Sequence, residues 1–227
     1  MLDDHRKLPR FLRLRLATQA VAIGERVKRG TFRPCVEAIP TSTMMGCLTE
    51  HFGLAGVIAI GFFDSRTYQK KLFTYAPFDA ALGTAKLPLT LEYLAPAEGH
   101  SEIVGEVYVV ATEATRKIFA KGVEYTVAMG ALRSKGFGLC QLTFKEEVQP
   151  GYRIGYLRGH LRESDAPGFG VDPRPIQEGG DIISPRYGYL FRPDGYRIGG
   201  KYERALLTDT ILRGPDLLIG REYPYDY

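Results

Sequence analysis

The sequence predicts an α+β fold, and three observations predict it. First, RFLRLRLAT at 10–18 alternates Leu12, Leu14 and Leu16 with Arg13 and Arg15. That two-residue period makes a strand with one apolar and one basic face. Second, IPTSTMMGCLTEHFG at 39–53 sets Met44, Met45, Leu48 and Phe52 at helical spacing. Third, short β-rich runs separated by Gly, Pro and Asp fill the chain from about residue 150 onward.

The remaining elements follow in chain order. IGERVKRGTFRP at 23–34 is basic and turn-prone, and predicts an exposed loop bearing Arg26, Lys28, Arg29 and Arg33. Pro40 fixes the approach to the helix, Thr41 or Ser42 can cap it, and Gly53 ends it. GVIAIGFF at 56–63 is a continuous apolar run that suits a buried strand. From Asp64 to Pro88 there is no period, which predicts a long irregular excursion rich in Tyr and Phe. LTLEYLA at 89–95 and VGEVYVVAT at 104–112 predict strands. Ile118, Gly122, Tyr125, Met129 and Leu132 then fall on one helical face, predicting a long second helix over 114–136 before a strand at 138–148.

Strand, helix, strand, strand, helix, strand is the ferredoxin-like (RRM-type) order. It assigns 8–149 to a ferredoxin-like core and 150–227 to a mainly β extension packed on that core. Within the extension, 153–163 and 186–193 predict strands, PDG at 193–195 is a hairpin signal, and 202–212 fits either a strand or a short helix.

Composition bounds the function. With 227 residues, 44% hydrophobic and 25% charged, the chain can bury a sizeable core and matches an ordinary soluble protein. The formal charge is only +4, but cations cluster in 5–33, 133–138 and 152–162. Such clusters can follow a phosphate backbone, and they can equally be a solvated face. Cys35, Cys47 and Cys140 form no CxxC pair and no zinc spacing, so a reducing cytoplasm is the expected setting. The start MLDDHRKLPR lacks an apolar stretch, and no apolar run reaches membrane-spanning length, so neither a signal peptide nor a membrane is expected. No Walker motif, dinucleotide fingerprint or metal-ligand spacing occurs, so no cofactor and no metal is expected.

The most informative string is GALRSKGFGLCQLTF at 130–144. Arg133, Ser134 and Lys135 lead into Gly136, Phe137 and Gly138. Glycines there let backbone N–H groups approach a phosphate, the cations supply charge, and Phe137 is placed to stack on a base. An ordinary turn with a left-handed glycine needs the same residues. Arg13 and Arg15 suit an RNA platform on the exposed face of the first strand, or simply a charged edge. Lys28 and Arg29 suit an RNA grip or a subunit contact.

RSKGFGLCQL resembles the glycine-rich loop of the RAMP superfamily of CRISPR-associated proteins, where a basic-Gly-Phe-Gly turn precedes the last core strand. AIPTSTMMGCLTEHFG is similar to the IPGST-x-x-G-A-L helix start of type III subunits, with Thr41 in place of the usual glycine. LFTYAPFDAALGTAKLPLTLEYL at 72–94 is similar to the Phe/Asp/Pro segment of larger members, and SPRYGYLFRPDG resembles the C-terminal part of the group that caps the crRNA 5′ handle. The first three cover about 10–148 in the right order. The resemblance implies a ferredoxin-like core and a place in a multisubunit effector. There the partners are crRNA, a backbone RAMP subunit, a large subunit and target RNA or DNA. It implies a non-catalytic subunit holding the 5′ handle. The alternatives are a backbone subunit that cleaves target RNA and a precursor-crRNA processing endoribonuclease.

Whether the chain is an enzyme stays open, with the weight against it. His51, near the end of the first helix, lies where some processing members carry a general base, yet a histidine there also suits the helix dipole. Asp64 and Asp79 are the candidates for backbone-type cleavage, though a lone loop aspartate is more often a turn former. His5, His100 and His160 complete the histidines. About 90 residues follow the glycine loop, whereas processing members place it near the chain's end.

Overall fold

The first strand shows how the sequence pattern becomes a layer. Leu12, Leu14 and Leu16 are all buried, while Arg13 and Arg15 on the other face are half-exposed. The computed structural model describes residues 8–24, 32–76, 78–85, 87–178, 181–193 and 200–223. Its elements are β1 (Phe11–Thr18), α1 (Thr41–Phe52), β2 (Ala59–Phe63), β3 (Tyr68–Tyr75), β4 (Leu89–Pro96), β5 (Ile103–Val110), α2 (Glu113–Ile118), β6 (Glu124–Ala128) and β7 (Leu139–Val148). The extension adds β8 (Tyr152–Leu157), β9 (Leu161–Arg162), β10 (Tyr187–Pro193), β11 (Gly200–Leu206), β12 (Ile211–Pro215) and β13 (Ile219–Glu222). Strand dominates, so the class is mixed α+β with a β excess.

The core sheet runs β6–β7–β1–β5–β2, with Ala38–Ile39 pairing on the outer edge of β2. β5 is antiparallel to both β1 and β2, so those two run parallel with β5 between them. One connection passes through α1 and the other through α2. Met44 and Leu48 of α1 and Phe119 at the end of α2 bury against Leu12, Leu14, Leu16, Val107 and Leu142. β2 is buried at all five positions, as its continuous apolar run requires.

Three expectations need correction. The long helix over 114–136 is only α2, capped by Thr112 and Thr115, and the chain then turns at Gly122 (φ 79°) into β6. Tyr125 and Met129 do face the core, but as alternate positions of a strand and the residue following it. Their spacing satisfies both periods, and Val123, Thr126 and Val127 favour the strand. The second correction is 64–88. β3 pairs with β4 along its whole length, from Tyr68 opposite Pro96 to Tyr75 opposite Leu89. It shows no alternation because most of both its faces are exposed. A small hairpin of Phe78–Asp79 and Thr84–Ala85 lies beyond it. The third concerns α1, where Pro40 takes the cap position and no side chain of Thr41 or Ser42 closes it. Within the extension, 202–212 is strand, belonging to β11 and β12, and 153–163 is split between β8 and β9.

The extension forms two three-stranded sheets, β12–β8–β13 and β9–β11–β10. It packs on the face of the core sheet that the helices leave open. Phe11, Ile60, Phe62 and Tyr108 meet Leu157, Phe169, Leu206 and Leu218 there, with Phe11 stacked on Phe169 at 6.2 Å. Arg162 is a buried charged anchor. It reaches Asp165 at 2.6 and 3.1 Å, Glu203 of β11 at 3.0 Å, and Met45 Sδ of α1 at 3.4 Å. Among the described residues no helix is long and apolar enough to cross a membrane.

Candidate nucleic-acid interface

The glycine loop joins β6 to β7, so it is the turn of a hairpin rather than the end of a long helix. Arg133–Lys135 forms one 3₁₀ turn, entered from Leu132 at φ 57° and left through Gly136 at φ 85°. Backbone bonds dock the loop onto the segment after β1: Ala131 N–H donates to the Ala22 carbonyl at 2.8 Å and Gly138 N–H to the Ala20 carbonyl at 2.7 Å. The two glycines differ. A Cβ on Gly136 would meet open space, whereas one on Gly138 would lie 1.9 Å from the Met129 carbonyl oxygen. Gly138 therefore serves a close approach within the protein.

Phe137 lies on the inner side of the loop. It is only 9% exposed, with Phe73 of β3 and Tyr93 of β4 at ring distances of 5.3 and 5.0 Å. Its faces are occupied by protein, so it staples the loop to the β3–β4 hairpin instead of offering a ring to a base. What the loop presents outward is Arg133, Ser134, Lys135 and Gly136, all exposed. Arg133 is held by Glu50 of α1 at 2.9 Å. Lys135 makes no ion pair among the described residues.

Arg13 and Arg15 lie on the sheet face opposite the helices, as their alternation requires. Carboxylates on or beside the adjacent strands meet both. Arg13 bonds Glu106 of β5 at 2.9 Å and Glu146 of β7 at 3.0 Å, and Arg15 pairs with Glu102. Tyr108 donates its hydroxyl to Glu106 at 2.6 Å. Burial works to raise the Glu106 carboxyl, but Tyr108 and Arg13 outweigh it and hold the group below its usual range. In this ladder each cation is met by carboxylate. Lys28 and Arg29, with Arg26 and His5, lie outside the described residues.

The catalytic candidates each carry a local structural bond. His51 accepts the Ala128 N–H on Nε2 at 2.8 Å, tying α1 to the edge strand β6. Asp64 accepts the Arg66 backbone N–H at 3.1 Å and its guanidinium at 3.0 and 2.8 Å. Arg66 thereby lowers its carboxyl to about 2, far from the poise a general base needs near neutrality. Asp79 accepts the N–H groups of Ala81 and Leu82 at 3.1 and 3.3 Å, closing the small hairpin's turn. His160 Nδ1 lies 3.4 Å from the Thr208 hydroxyl. Among the described residues no cluster of three His, Cys, Asp or Glu could hold a metal. All three cysteines are buried, and burial pushes the thiols of Cys47 and Cys140 up to about 12 and 11.

At the seam of core and extension, Arg158 lies over the Phe62 ring at 4.2 Å and donates to the Leu217 carbonyl at 3.3 Å. Cavities of about 410 and 490 Å³ flank this stack. The surface that sequence reasoning missed is also in the extension: Tyr187, Tyr189, Tyr202 and Arg204. The alternation of tyrosines in YGY at 187–189 was its available signal.

No family model matches the chain, and none of the curated proteins matches it. Its backbone does match solved structures. Two of them are cryo-EM structures of the Type III-B Cmr-beta bound to cognate target RNA, one of these also with AMPPnP. TM-scores are 0.55 and 0.52, with 10% sequence identity, covering 88% of this chain and 86% of each matched chain. The chain shares the fold of a chain in these Type III-B Cmr-beta structures. At that identity the likeness lies in strand order and path, the features that the alternating patterns of β1 and β5 and the buried run of β2 encode.

Proposed function

We propose that the chain is a non-catalytic crRNA-binding subunit of a type III effector ribonucleoprotein, built on a ferredoxin-like core and holding the 5′ handle of the crRNA. The observation that carries the reading is the path of the backbone. The split pairing of β1, β5 and β2 with two helices on one face is the arrangement expected of such a core. The same path covers 86% of each matched chain from the Type III-B Cmr-beta bound to cognate target RNA.

The outward crest Arg133–Ser134–Lys135–Gly136 is the core's RNA contact in this reading, through cations and backbone N–H groups. Arg13 and Arg15 are assigned to holding the sheet. The hairpin of β3 and β4 exposes Leu72, and beyond it Phe78, Leu82 and Leu87 are exposed. Apolar surface of that kind favours a neighbouring subunit. The absence of catalysis rests on His51, Asp64 and Asp79 being engaged in a strand contact and two turns.

The test is to purify the tagged full chain from cells carrying its complex and to sequence the RNA that accompanies it. The expected result is crRNA retaining its 5′ handle, with effector subunits alongside, and no cleavage of repeat or target RNA by the isolated chain. Cleavage abolished by His51→Ala or Asp79→Ala would overturn the non-catalytic reading, and recovery without crRNA would overturn the binding reading.

A further inference from the structure

The hairpin of β10 and β11 carries a surface that none of these roles uses. Its register sets Tyr187 opposite Leu206 and Tyr189 opposite Arg204, with Tyr202 two residues from Arg204. Side chains at such positions share a face. On the other face Leu190 and Ala205 are buried, and Glu203 bonds Arg162 and Lys201 at 3.0 Å each. On the tyrosine face Leu206 is buried and Tyr187 packs against the same cluster, so the exposed part of that face is Tyr189, Tyr202 and Arg204. There Tyr189 is 65% exposed and Tyr202 53% exposed.

A cation is already stacked there. The Arg204 guanidinium lies 3.7 Å from the centre of the Tyr187 ring, and the Glu163 carboxylate steadies it at 3.5 Å. The neighbourhood is basic by sequence. Residues 186–206 hold five cations, Arg186, Arg192, Arg197, Lys201 and Arg204, against Asp194 and Glu203. Among the described residues of the hairpin, the large hydrophobics that are exposed are tyrosines and not aliphatics.

Planar rings and a guanidinium on one face match the faces of unpaired bases and the charge of their backbone. Exposed tyrosine and arginine also serve protein docking, and the RNA-binding reading above decides for RNA. We propose that Tyr189, Tyr202 and Arg204, with Tyr187 backing the guanidinium, form a stacking platform for single-stranded RNA. The ligand class rests on the RNA-binding reading above, while the location rests on the hairpin's geometry alone.

The experiment measures binding of a fluorescein-labelled oligouridine to the full chain and to Tyr189→Ala, Tyr202→Ala, and a Tyr189→Phe, Tyr202→Phe double variant. Each alanine variant is expected to weaken binding about tenfold, and Tyr189→Ala, whose ring is 65% exposed, is expected to melt like the parent. The phenylalanine pair keeps its rings and is expected to bind like the parent. Unchanged affinity in both alanine variants overturns the platform, as does a parent chain that does not bind the probe. Loss of a co-purifying effector subunit with oligouridine binding intact also overturns it, and marks the face as a protein contact. Recovery of crRNA with the purified complex is scored separately, so the platform can fail while the proposed function stands.

Discussion

The first strand and the C-terminal hairpin both alternate cations with hydrophobic or aromatic residues, yet the fold uses them in opposite ways. On β1, Arg13 and Arg15 are brought against Glu106 and Glu146 from the strands on either side and Glu102 just before β5. On the hairpin, Arg204 is laid on a tyrosine ring, and two further rings on its face remain open to solvent. One set of cations is satisfied within the protein and contributes to the sheet. Arg204 of the hairpin meets one carboxylate, Glu163 at 3.5 Å, and its exposed neighbours on the face are aromatic. A cation in a sequence thus says little until the fold shows which carboxylate meets it.

The comparison breaks most visibly at Arg162, the buried charge that anchors the hairpin. Arg162→Met removes the partner of the buried Asp165 and leaves Glu203 to Lys201, and about 3 kcal/mol of stability should be lost in chemical denaturation. A loss below about 1 kcal/mol would mean that apolar packing alone holds the extension. The glycines repeat the contrast on a smaller scale. Gly138→Ala drives a Cβ into the Met129 carbonyl and should cost about 3 kcal/mol. Gly136→Ala, facing open space at positive φ, should cost only about 1 kcal/mol.

The ladder itself is weaker. Glu106→Gln should cost about 1 kcal/mol and flatten the acid limb of the stability profile. The sign follows from the lowered carboxyl: its contribution is complete above the ordinary glutamate range and disappears as pH falls through the folded value. The smallest effect in stability is at Lys135. Lys135→Ala should leave the melting temperature alone and reduce the log–log salt slope of RNA binding by about 0.7. Arg13→Ala should leave that slope where it was.

Much of the core was legible because its signals were strong and local. The alternation in β1, the apolar run of β2 and the stripe of Met44 and Leu48 each have one physical reading. Residues 114–136 did not, because inward positions of a short helix, a turn and a strand happened to fall at helical spacing. The β3 strand was invisible, since a hairpin exposed on most of both faces has no reason to alternate. At the site, the position of Arg133, Ser134 and Lys135 on an outward turn was readable from residue types. The burial of Phe137 was not, because it depends on Phe73 and Tyr93, far away in sequence. The ion pairs of Arg13 and Arg15 depend likewise on glutamates more than 80 residues distant. The turn-forming roles of Asp64 and Asp79 followed from their local sequence.

The central claim is that this chain holds crRNA through its glycine-loop crest and its C-terminal hairpin, and not through the face of β1. Ultraviolet cross-linking of the assembled complex, carrying crRNA labelled at its 5′ handle, tests this most directly when the linked residues are mapped by mass spectrometry. The account predicts cross-links to the Arg133–Gly136 crest and to Tyr189 or Tyr202, with none to Arg13 or Arg15. Cross-links confined to the Arg13–Glu106 ladder, or a handle linked only to other subunits, would contradict it.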